Sequence, residues 1–520
     1  MSDNVVTRPP RSTAEAAPGS QEAADAHDLG RFGYKQELRR VLNVYSSFAI
    51  AFSYISPSTG IFTLFVLGLA IGGPFFLWSW PIVALGQFIV ALNFAEVSSH
   101  FPVAGSVYQW TKYLSNRAYS WMTGWTYLFA GVLTITAVDV TVPLVVIPLL
   151  NLLGFNVPNT TQAQVVVAAI ILVSTTLLSI FGVRLVSLIN NTGVVFEIIG
   201  MALFGFGLLI FFHHQPVSVV TNTTALGSGF TNQAGTFLAA MFMSLFVIYG
   251  FDTAGTLAEE TRNPRAEAPK AILGAVVGAF VIGTIFLVAV VIALPGDIGK
   301  WVSDAAAGKY VSLADILTAI LPKWAAIAYL LVAFAAIYVC CLAIQTSTIR
   351  LAFGMARDGK LPFGRLYNKV SATWHTPLGT CIVVGALAAI PLTYYAGAGT
   401  IAIAATGMIY TAYFLANIAV LIARSKGWPS EGAPFKLGGW GTIVNVVALL
   451  YGGAMLINFL WGRPGTAINP SVKELPGLSG IPLVGGVPIF EMTLGTVLVV
   501  GAIYYVIAQR GKQDQVVRAA

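Results

Sequence analysis

The chain contains repeated apolar runs of about 20 residues or more, and these runs restrict its fold more than any other feature. A run of that length, wound as an α-helix, spans a hydrocarbon layer of about 30 Å. The runs lack the strict apolar–polar alternation of the strands in a membrane barrel. Composition agrees, because 57% of the residues are hydrophobic and 9% are charged, whereas soluble domains carry about 25% charged residues. We predict an all-α polytopic membrane protein.

About twelve runs are long enough to be transmembrane helices. They predict spans at residues 43–70, 74–99, 118–150, 163–182, 188–212, 235–257, 270–294, 325–355, 377–396, 399–423, 440–461 and 487–508. Residues 1–32 are rich in Ala, Glu, Ser and Pro without an apolar core, so we predict a disordered N-terminal tail. Residues 510–520 are predicted to be a C-terminal tail.

Lysine and arginine predict the orientation, because cytoplasmic loops of membrane proteins carry an excess of both. With the N-terminus inside, 23 of the 28 basic residues fall in cytoplasmic segments. The other five are Lys300, Lys309, Lys323, Arg463 and Lys473. We therefore expect an integral protein of the cell (plasma or inner) membrane with both termini in the cytoplasm. The net charge of +7 follows from this topology, so no nucleic-acid partner is expected.

Motifs for catalysis, metal binding and ATP hydrolysis are missing from the sequence. It contains no G-x-x-x-x-G-K-[ST], G-x-S-x-G, H-E-x-x-H or C-x-x-C. Cys340, Cys341 and Cys381 lie in apolar runs, which predicts small buried side chains rather than a disulfide or metal site. We expect neither an enzyme nor a cofactor nor a metal site. The remaining classes are solute movement and a passive membrane role.

Two of the predicted spans contain helix-breaking residues. Ser56-Pro57-Ser58-Thr59-Gly60 interrupts the first span, and Gly250 and Gly255 bracket Asp252-Thr253 in the sixth. Open backbone groups at such breaks cost several kcal/mol each in lipid unless protein or water surrounds them. Five spans separate the breaks, and an odd repeat length inverts the second copy. Inverted repeats with matching broken helices typically hold a ligand near the bilayer midplane, so we predict repeats at about 41–212 and 235–424.

Four acids at membrane depth are functional candidates, because charged side chains are costly there. Glu96 is predicted to pair with a nearby basic residue or with open backbone amides. Asp139 either binds a cationic group or is hydrogen-bonded to the threonines of its own span. Glu197 has apolar neighbours, and burial favours the neutral form of a carboxyl, so we predict that it carries a proton. Asp252 belongs to the second break.

Three sequence stretches resemble signatures of the amino acid/polyamine/organocation transporter superfamily. "GFDTAGTLAEETRNPRAEAPKAI" (250–272) resembles its sixth-span signature, "AEVSSHFPVAGSVYQW" (95–110) its second-span motif, and "STIRLAFGMARDGKLP" (347–362) its eighth span and the following loop. The matches run in order over about residues 34–424. "GYKQELRR" together with "SYISPSTGIF" is most similar to the branch that includes GABA and choline permeases.

The resemblance implies a ten-helix core at residues 33–424, a five-plus-five inverted repeat of the LeuT-like kind, and two peripheral helices at 425–509.

The resemblance also implies that the substrate binds between the two breaks. The substrate carboxylate would bind the amides of the first break, and the amine would meet Tyr249 and Gly250 carbonyls beside Phe251 as an aromatic gate. Some relatives carry a lysine where this chain has Glu197, so the chain departs from the lysine pattern at the position that takes part in ion coupling in those relatives. The predicted substrate-binding residues are Ser56, Ser58, Thr59, Gly60, Ile61, Asp139, Tyr249, Gly250, Phe251, Asp252, Thr253 and Gly255.

The predicted function is secondary active transport of an amino acid or an amino-acid-like amine such as GABA, coupled to H⁺ at Glu197. Na⁺ is the alternative coupling ion. There are three alternatives to this function: an amino acid or amine exchanger, a permease for choline or a polyamine, and a transport-dead sensor. The expected partners are the small-molecule substrate, the coupling ion and the lipid bilayer, and the protein is expected to be a monomer or a homodimer.

Overall fold

The computed structural model describes residues 20–394, 397–463, 468–471 and 486–511, and its described residues are almost entirely helical. The α-helices are α1 Gln21–Gly30, α2 Val44–Ile55, α3 Pro57–Gly72, α4 Ser79–His100, α5 Ser106–Leu114, α6 Arg117–Asp139, α7 Pro143–Leu152, α8 Thr161–Ile180, α9 Val183–Phe211, α10 Phe230–Ala240, α11 Phe242–Val247, α12 Thr253–Thr256, α13 Pro264–Ile292, α14 Ile298–Ala306, α15 Leu313–Ile320, α16 Lys323–Arg357, α17 Gly364–Tyr367, α18 Leu378–Ala389, α19 Ala398–Ser425, α20 Gly441–Leu460 and α21 Ile489–Tyr504. The all-α prediction is confirmed.

Each of the twelve predicted spans corresponds to a helical segment. Ten segments of the described chain are long and apolar enough to cross a membrane, and one of them, Val44–His100, contains the first two predicted spans. The ninth predicted span corresponds to a shorter apolar helix, Leu378–Thr393. The first and sixth spans are interrupted at the predicted stretches, and the third is also divided, into α6 and α7, at residues 140–142.

The outer surface of the bundle carries large apolar side chains that water would not tolerate in such number. They concentrate on α8, α9, α20 and α21, which pack against the bundle on one side only. Examples are Ile170, Val173, Leu188, Leu203, Ile210, Leu450 and Val499, all exposed. This apolar belt is the surface that lipid covers in a polytopic membrane protein.

The prediction of a disordered tail over residues 1–32 is wrong for residues 20–32. Residues Gln21–Gly30 form α1, whose N-cap Ser20 accepts a hydrogen bond from the Ala23 amide. Leu29 is buried, and buried Asp25 accepts a hydrogen bond from the Asn263 amide (3.0 Å). The composition gave no sign of α1, because buried Asp25 bonds an amide 238 positions away. Residues 1–19 and 512–520 lie outside the described residues.

Candidate functional site

The first break is a true interruption of the helix. α2 ends at Ile55, Ser56 adopts a left-handed φ of 34°, and α3 begins at Pro57. Ser56 caps α3, because its Oγ accepts a hydrogen bond from the Thr59 amide (3.3 Å). Proline suits the first position of a helix, where no N–H is needed. The "SPSTG" stretch therefore ends one helix and starts the next.

A carboxylate of the protein itself occupies the amides of the first break. Glu197 Oε1 accepts hydrogen bonds from Ser56 Oγ (2.8 Å) and from the Ser58 amide (3.1 Å). The Thr59 amide donates to Ser56 Oγ and the Gly60 amide to the Ser56 carbonyl (3.3 Å). The Ser58, Thr59 and Gly60 amides thus have partners within the protein, and Ile61 lies far enough into α3 for its amide to take part in the helical hydrogen bonding. Glu197 is 1% exposed.

The two breaks face each other in the centre of the bundle. A Cβ at Gly60 would lie 2.3 Å from Val247 Cγ2, so α3 and α11 approach as closely as glycine permits. Ile61 beside it is fully buried. The sequence placed these breaks five spans apart, and the structure brings them into contact.

The second break is a non-helical segment, residues 248–252, between α11 and α12, and it includes a turn closed at Thr253. Gly250 has a φ of +87°, and a Cβ there would lie 1.8 Å from Tyr54 Cδ1. Its amide donates to the Tyr413 hydroxyl (2.9 Å), and its carbonyl accepts from the Thr253 amide (3.1 Å). Tyr249 packs edge-on against Tyr54. The second break thus rests directly on the helix that leads into the first.

Asp252 is held by three hydroxyl groups. Ser106 Oγ and Tyr127 Oη donate to its Oδ2 at 2.6 Å each, and Tyr413 Oη donates to its Oδ1. Tyr413 therefore joins Asp252 to the Gly250 amide. The carboxylate is fully buried and connects the second break to α5, α6 and α19.

The other predicted residues of the second break take part in internal packing. The Phe251 ring is fully buried and lies 5.4 Å from the Tyr413 ring, measured between centroids. The Thr253 hydroxyl donates to Ser347 Oγ (3.2 Å). A Cβ at Gly255 would lie 2.5 Å from Trp110 Cζ2. These contacts set the shape of the break.

Asp139 differs from the other buried acids because neither carboxylate oxygen accepts a hydrogen bond from an N–H or O–H group in the described structure, and its titratable neighbour is the Cys341 thiol. The expectation that threonines of its own span bind it is wrong. Thr134 donates to the Ala130 carbonyl and Thr136 to the Ala388 carbonyl, and Thr141 donates to the Ala137 carbonyl. Hydroxyls within helices commonly bond the carbonyl four residues back. Binding of a cationic group at Asp139 stays a prediction.

Glu96 pairs as predicted with a basic residue and a backbone amide. Arg424 donates to its Oε2, and the Leu437 amide donates to its Oε1 (2.8 Å). Glu96 therefore joins α4 to the segment between α19 and α20. It is a structural ion pair outside the two breaks.

A cavity of about 1150 Å³ opens toward one end of the bundle and reaches close to the first break. α3, α10 and α19 contribute Thr63, Asn232 and Gly399 to its wall. Thr63 Oγ1 donates to the Thr59 carbonyl (2.7 Å), so the cavity ends about one helical turn from the predicted site.

The opposite end of the bundle, which we call the charged end, is closed by buried ion pairs. Arg350 donates to both carboxylate oxygens of Glu260 (3.2 and 2.8 Å), and Arg357 does the same with Glu259 (3.0 and 2.7 Å). Both acids follow the second break, and both arginines lie on α16. The pairs therefore fix the end of the sixth span to α16.

The N-terminal segment covers the charged end. Burial raises the pKa of the Tyr34 hydroxyl above its usual value, and Asp358 acts in the same direction. The hydroxyl stays protonated and donates to Asp358 Oδ1 (2.8 Å), while Lys112 Nζ lies 2.7 Å from Asp358 Oδ2. The Leu42 amide donates to the Glu260 carbonyl (2.9 Å). A second cavity, of about 1120 Å³, lies among these residues and is lined by Tyr34, Lys112 and Asp358, whereas Glu259, Glu260 and Arg350 are not among its lining residues.

Replacing Glu260 by glutamine is expected to lower the free energy of unfolding by about 3–5 kcal/mol, because Arg350 would keep a buried charge without its partner. The Arg350 and Glu260 side chains are 1% and 0% exposed. Denaturant titration of the purified protein in detergent measures the change. The matched control is Glu267→Gln, whose exposed pair with Lys270 is worth at most about 1 kcal/mol. Equal stability of the two variants would contradict the expectation.

Sequence analysis missed the hydroxyls that bind Asp252. Ser106, Tyr127 and Tyr413 come from α5, α6 and α19, and no local pattern joins them to residue 252. The tyrosines in apolar spans were a usable signal, because buried tyrosine hydroxyls usually have a hydrogen-bond partner. The sequence does not show which residue that partner is.

Comparisons with known proteins extend over most of the chain. A family model described as amino acid permease matches residues 42–476. The amino-acid permease BAT1 of Arabidopsis thaliana is 30% identical over 464 residues, covering 84% of this chain and 88% of that protein. The branched-chain amino acid permease BcaP of Bacillus subtilis is 26% identical over 476 residues, covering 84% of this chain and 96% of that protein.

A solved structure shares the fold. The crystal structure of MhsT in complex with L-phenylalanine superimposes with a TM-score of 0.54 at 15% identity, covering 81% of this chain and 99% of that chain.

Proposed function

Because this chain belongs to the amino acid permease family, a family of membrane transporters, we propose that it takes up an amino acid or an amino-acid-like amine. Uptake proceeds by alternating access, and H⁺ is the coupling ion. The observation that carries the proposal is the buried contact between two broken helices beneath an open cavity. The names of the relatives support an amino acid, and GABA belongs to the same class of zwitterions.

The substrate would lie between the two breaks. Its carboxylate would take the amides of Ser58 to Ile61, which begin α3 and present the positive end of a helix dipole. Its amine would meet the carbonyls of Tyr249 and Gly250, with Phe251 over the site. Ser56, Asp252, Thr253 and Gly255 would hold the shape of the breaks rather than touch the substrate.

In alternating access, the site between the two breaks would open first toward the cavity and then toward the charged end. The distribution of basic residues supports an orientation in which the charged end and both termini lie in the cytoplasm and the cavity faces outward. The ion pairs of Glu259 and Glu260 with α16 would then separate when the site opens inward. Unequal affinity of the substrate for the two states is what drives the change.

Glu197 is the proposed proton carrier. It lies at the first break without a basic partner in the described structure, and a buried carboxyl is readily neutralised by a proton. Na⁺ remains the alternative coupling ion, since carboxylate and hydroxyl oxygens also bind it.

A cationic substrate is the second candidate, and Asp139 favours it. Its carboxylate is fully buried and accepts no hydrogen bond from an N–H or O–H group in the described structure, with the weakly donating Cys341 thiol as its titratable neighbour. An ammonium group of a basic amino acid or polyamine would satisfy both oxygens. Choline has no carboxylate, so it would use Asp139 and leave the amides of the first break to Glu197.

The proposal is tested by measuring uptake into proteoliposomes for a panel of five compounds: leucine, phenylalanine, GABA, lysine and choline. A gradient of one pH unit supports about tenfold accumulation when one proton accompanies each substrate molecule. We expect accumulation of at least one amino acid, and Glu197→Gln should make its uptake insensitive to the gradient. Glu267→Gln is the matched control and should behave as wild type. Failure of every compound would refute the substrate class, and gradient-driven uptake by Glu197→Gln would refute coupling at Glu197.

A further inference from the structure

The donors that Glu197 uses are the ones that begin α3. The Ser58 amide is the first free N–H of α3, because Pro57 has none, and Ser56 Oγ caps the same turn. A helix of 16 residues starts here, so its dipole favours an anion at this point. The structure thus already contains a carboxylate at the position proposed for the substrate carboxylate.

No positive charge in the described structure accompanies this carboxylate. α16 contributes Tyr329 and the Cys340 thiol as the titratable groups that face Glu197. α8 and α3 contain no titratable residue, and α2 contains only Tyr45 and Tyr54.

In α16 the charged residues are Lys323, at its start, and Arg350 and Arg357, which are paired with Glu260 and Glu259. In α9 the charged residue besides Glu197 is Arg184, near its start. In α13 the charged residues are Arg265, Glu267 and Lys270, within its first two turns. The hydrogen bonds from Ser56 and Ser58 are therefore the stabilising contacts that the structure gives this carboxylate.

We propose that Glu197 is a built-in occupant of the subsite for the substrate carboxylate, so that the two carboxylates bind the first break in turn. This inference rests on the proposed function and adds how the coupling works. The Ser58 amide carries one hydrogen and serves one carboxylate oxygen well at a time. Two ionised carboxylates at one break also repel each other in a medium of low dielectric constant. A proton on Glu197 removes the repulsion and weakens its hold on the amide, so proton uptake prepares the subsite for the substrate.

The test uses acetate as a probe for a vacated subsite, and it requires neither transport nor a known substrate. Glu197→Ala removes the internal carboxylate, and acetate is then expected to raise the unfolding temperature of the detergent-purified protein by about 2 °C. Sodium chloride at equal ionic strength serves as the reference. Glu197→Ser is the second vacating variant, in case the alanine variant does not fold.

Three proteins are expected to show no acetate response. Wild type keeps its own carboxylate, and Glu197→Gln keeps an amide oxygen that accepts the same two hydrogen bonds. Val194→Ala, three residues earlier on the same helix and equally buried, opens an apolar cavity without freeing the amides. The inference is overturned if acetate stabilises the vacating variants no more than Val194→Ala, or if wild type responds as strongly as they do.

The two experiments fail independently of each other. An acetate response in Glu197→Ala together with uptake that ignores the pH gradient would uphold the shared subsite and refute proton coupling. Gradient-driven uptake that Glu197→Gln abolishes, without any acetate response in the vacating variants, would uphold the coupling and refute the shared subsite.

Discussion

Gly250→Ala is expected to reduce the initial rate of uptake by about 100-fold or more, a loss of roughly 2.7 kcal/mol of transition-state stabilisation. The new Cβ would lie 1.8 Å from Tyr54 Cδ1 and 2.2 Å from Cε1, well inside van der Waals contact. The ring cannot yield easily, because Tyr54 is 4% exposed and packs against Tyr249. The φ of +87° adds strain for any residue with a side chain.

The two helix breaks would have to move apart to relieve this contact. Overpacking of this kind typically costs about 1–3 kcal/mol of stability, so enough folded protein should remain for assay. Initial rates in proteoliposomes, normalised to folded protein, measure the effect. Gly207→Ala is the control, because its Cβ would meet no atom within 4 Å. A Gly250→Ala rate within threefold of the Gly207→Ala rate would show that the contact between Tyr54 and Gly250 does not hold the site.

The sequence predicts those parts of the structure that depend on local signals. Pro57 cannot continue a helix from the preceding turn without the loss of a hydrogen bond, so the sequence points to a break at this place, although Gly60 itself lies within α3. The apolar runs predict the helices because their length must match a hydrocarbon layer. Glu96 near a span end implies a partner, and the structure supplies Arg424.

Contacts between distant segments are what the sequence does not predict. Glu197 binds an amide 139 positions away, and Tyr413 binds a carboxylate 161 positions away. Both bonds depend on how the helices rotate about their axes, which is decided by packing over the whole bundle. Asp139 lacks its expected threonine partners for a different reason, because the hydroxyls of Thr134 and Thr136 donate to backbone carbonyls instead. Candidate residues could therefore be predicted, but their partners could not.

Asp252→Ala is expected to destabilise the protein by about 3–5 kcal/mol and to abolish uptake. Ser106, Tyr127 and Tyr413 would each lose the acceptor of a hydrogen bond. An unsatisfied buried polar group costs about 1–3 kcal/mol, and rotation of the hydroxyls recovers part of the sum. Denaturant titration in detergent gives the stability, and ligand-induced thermal shifts report binding separately.

A double-mutant cycle with Tyr127→Phe distinguishes a structural Asp252 from one that contacts the substrate. Tyr127→Phe removes one of the hydroxyls that Asp252→Ala orphans, so the double variant should lose about 1–3 kcal/mol less than the sum of the single variants. A direct substrate contact would instead leave stability nearly unchanged and weaken ligand binding alone. Additive stability losses would show that the Tyr127 hydroxyl does not depend on Asp252. Coupling at this pair would mean that Asp252 acts by holding the second break against α6, and that the substrate amine is recognised by the backbone which Asp252 keeps in place.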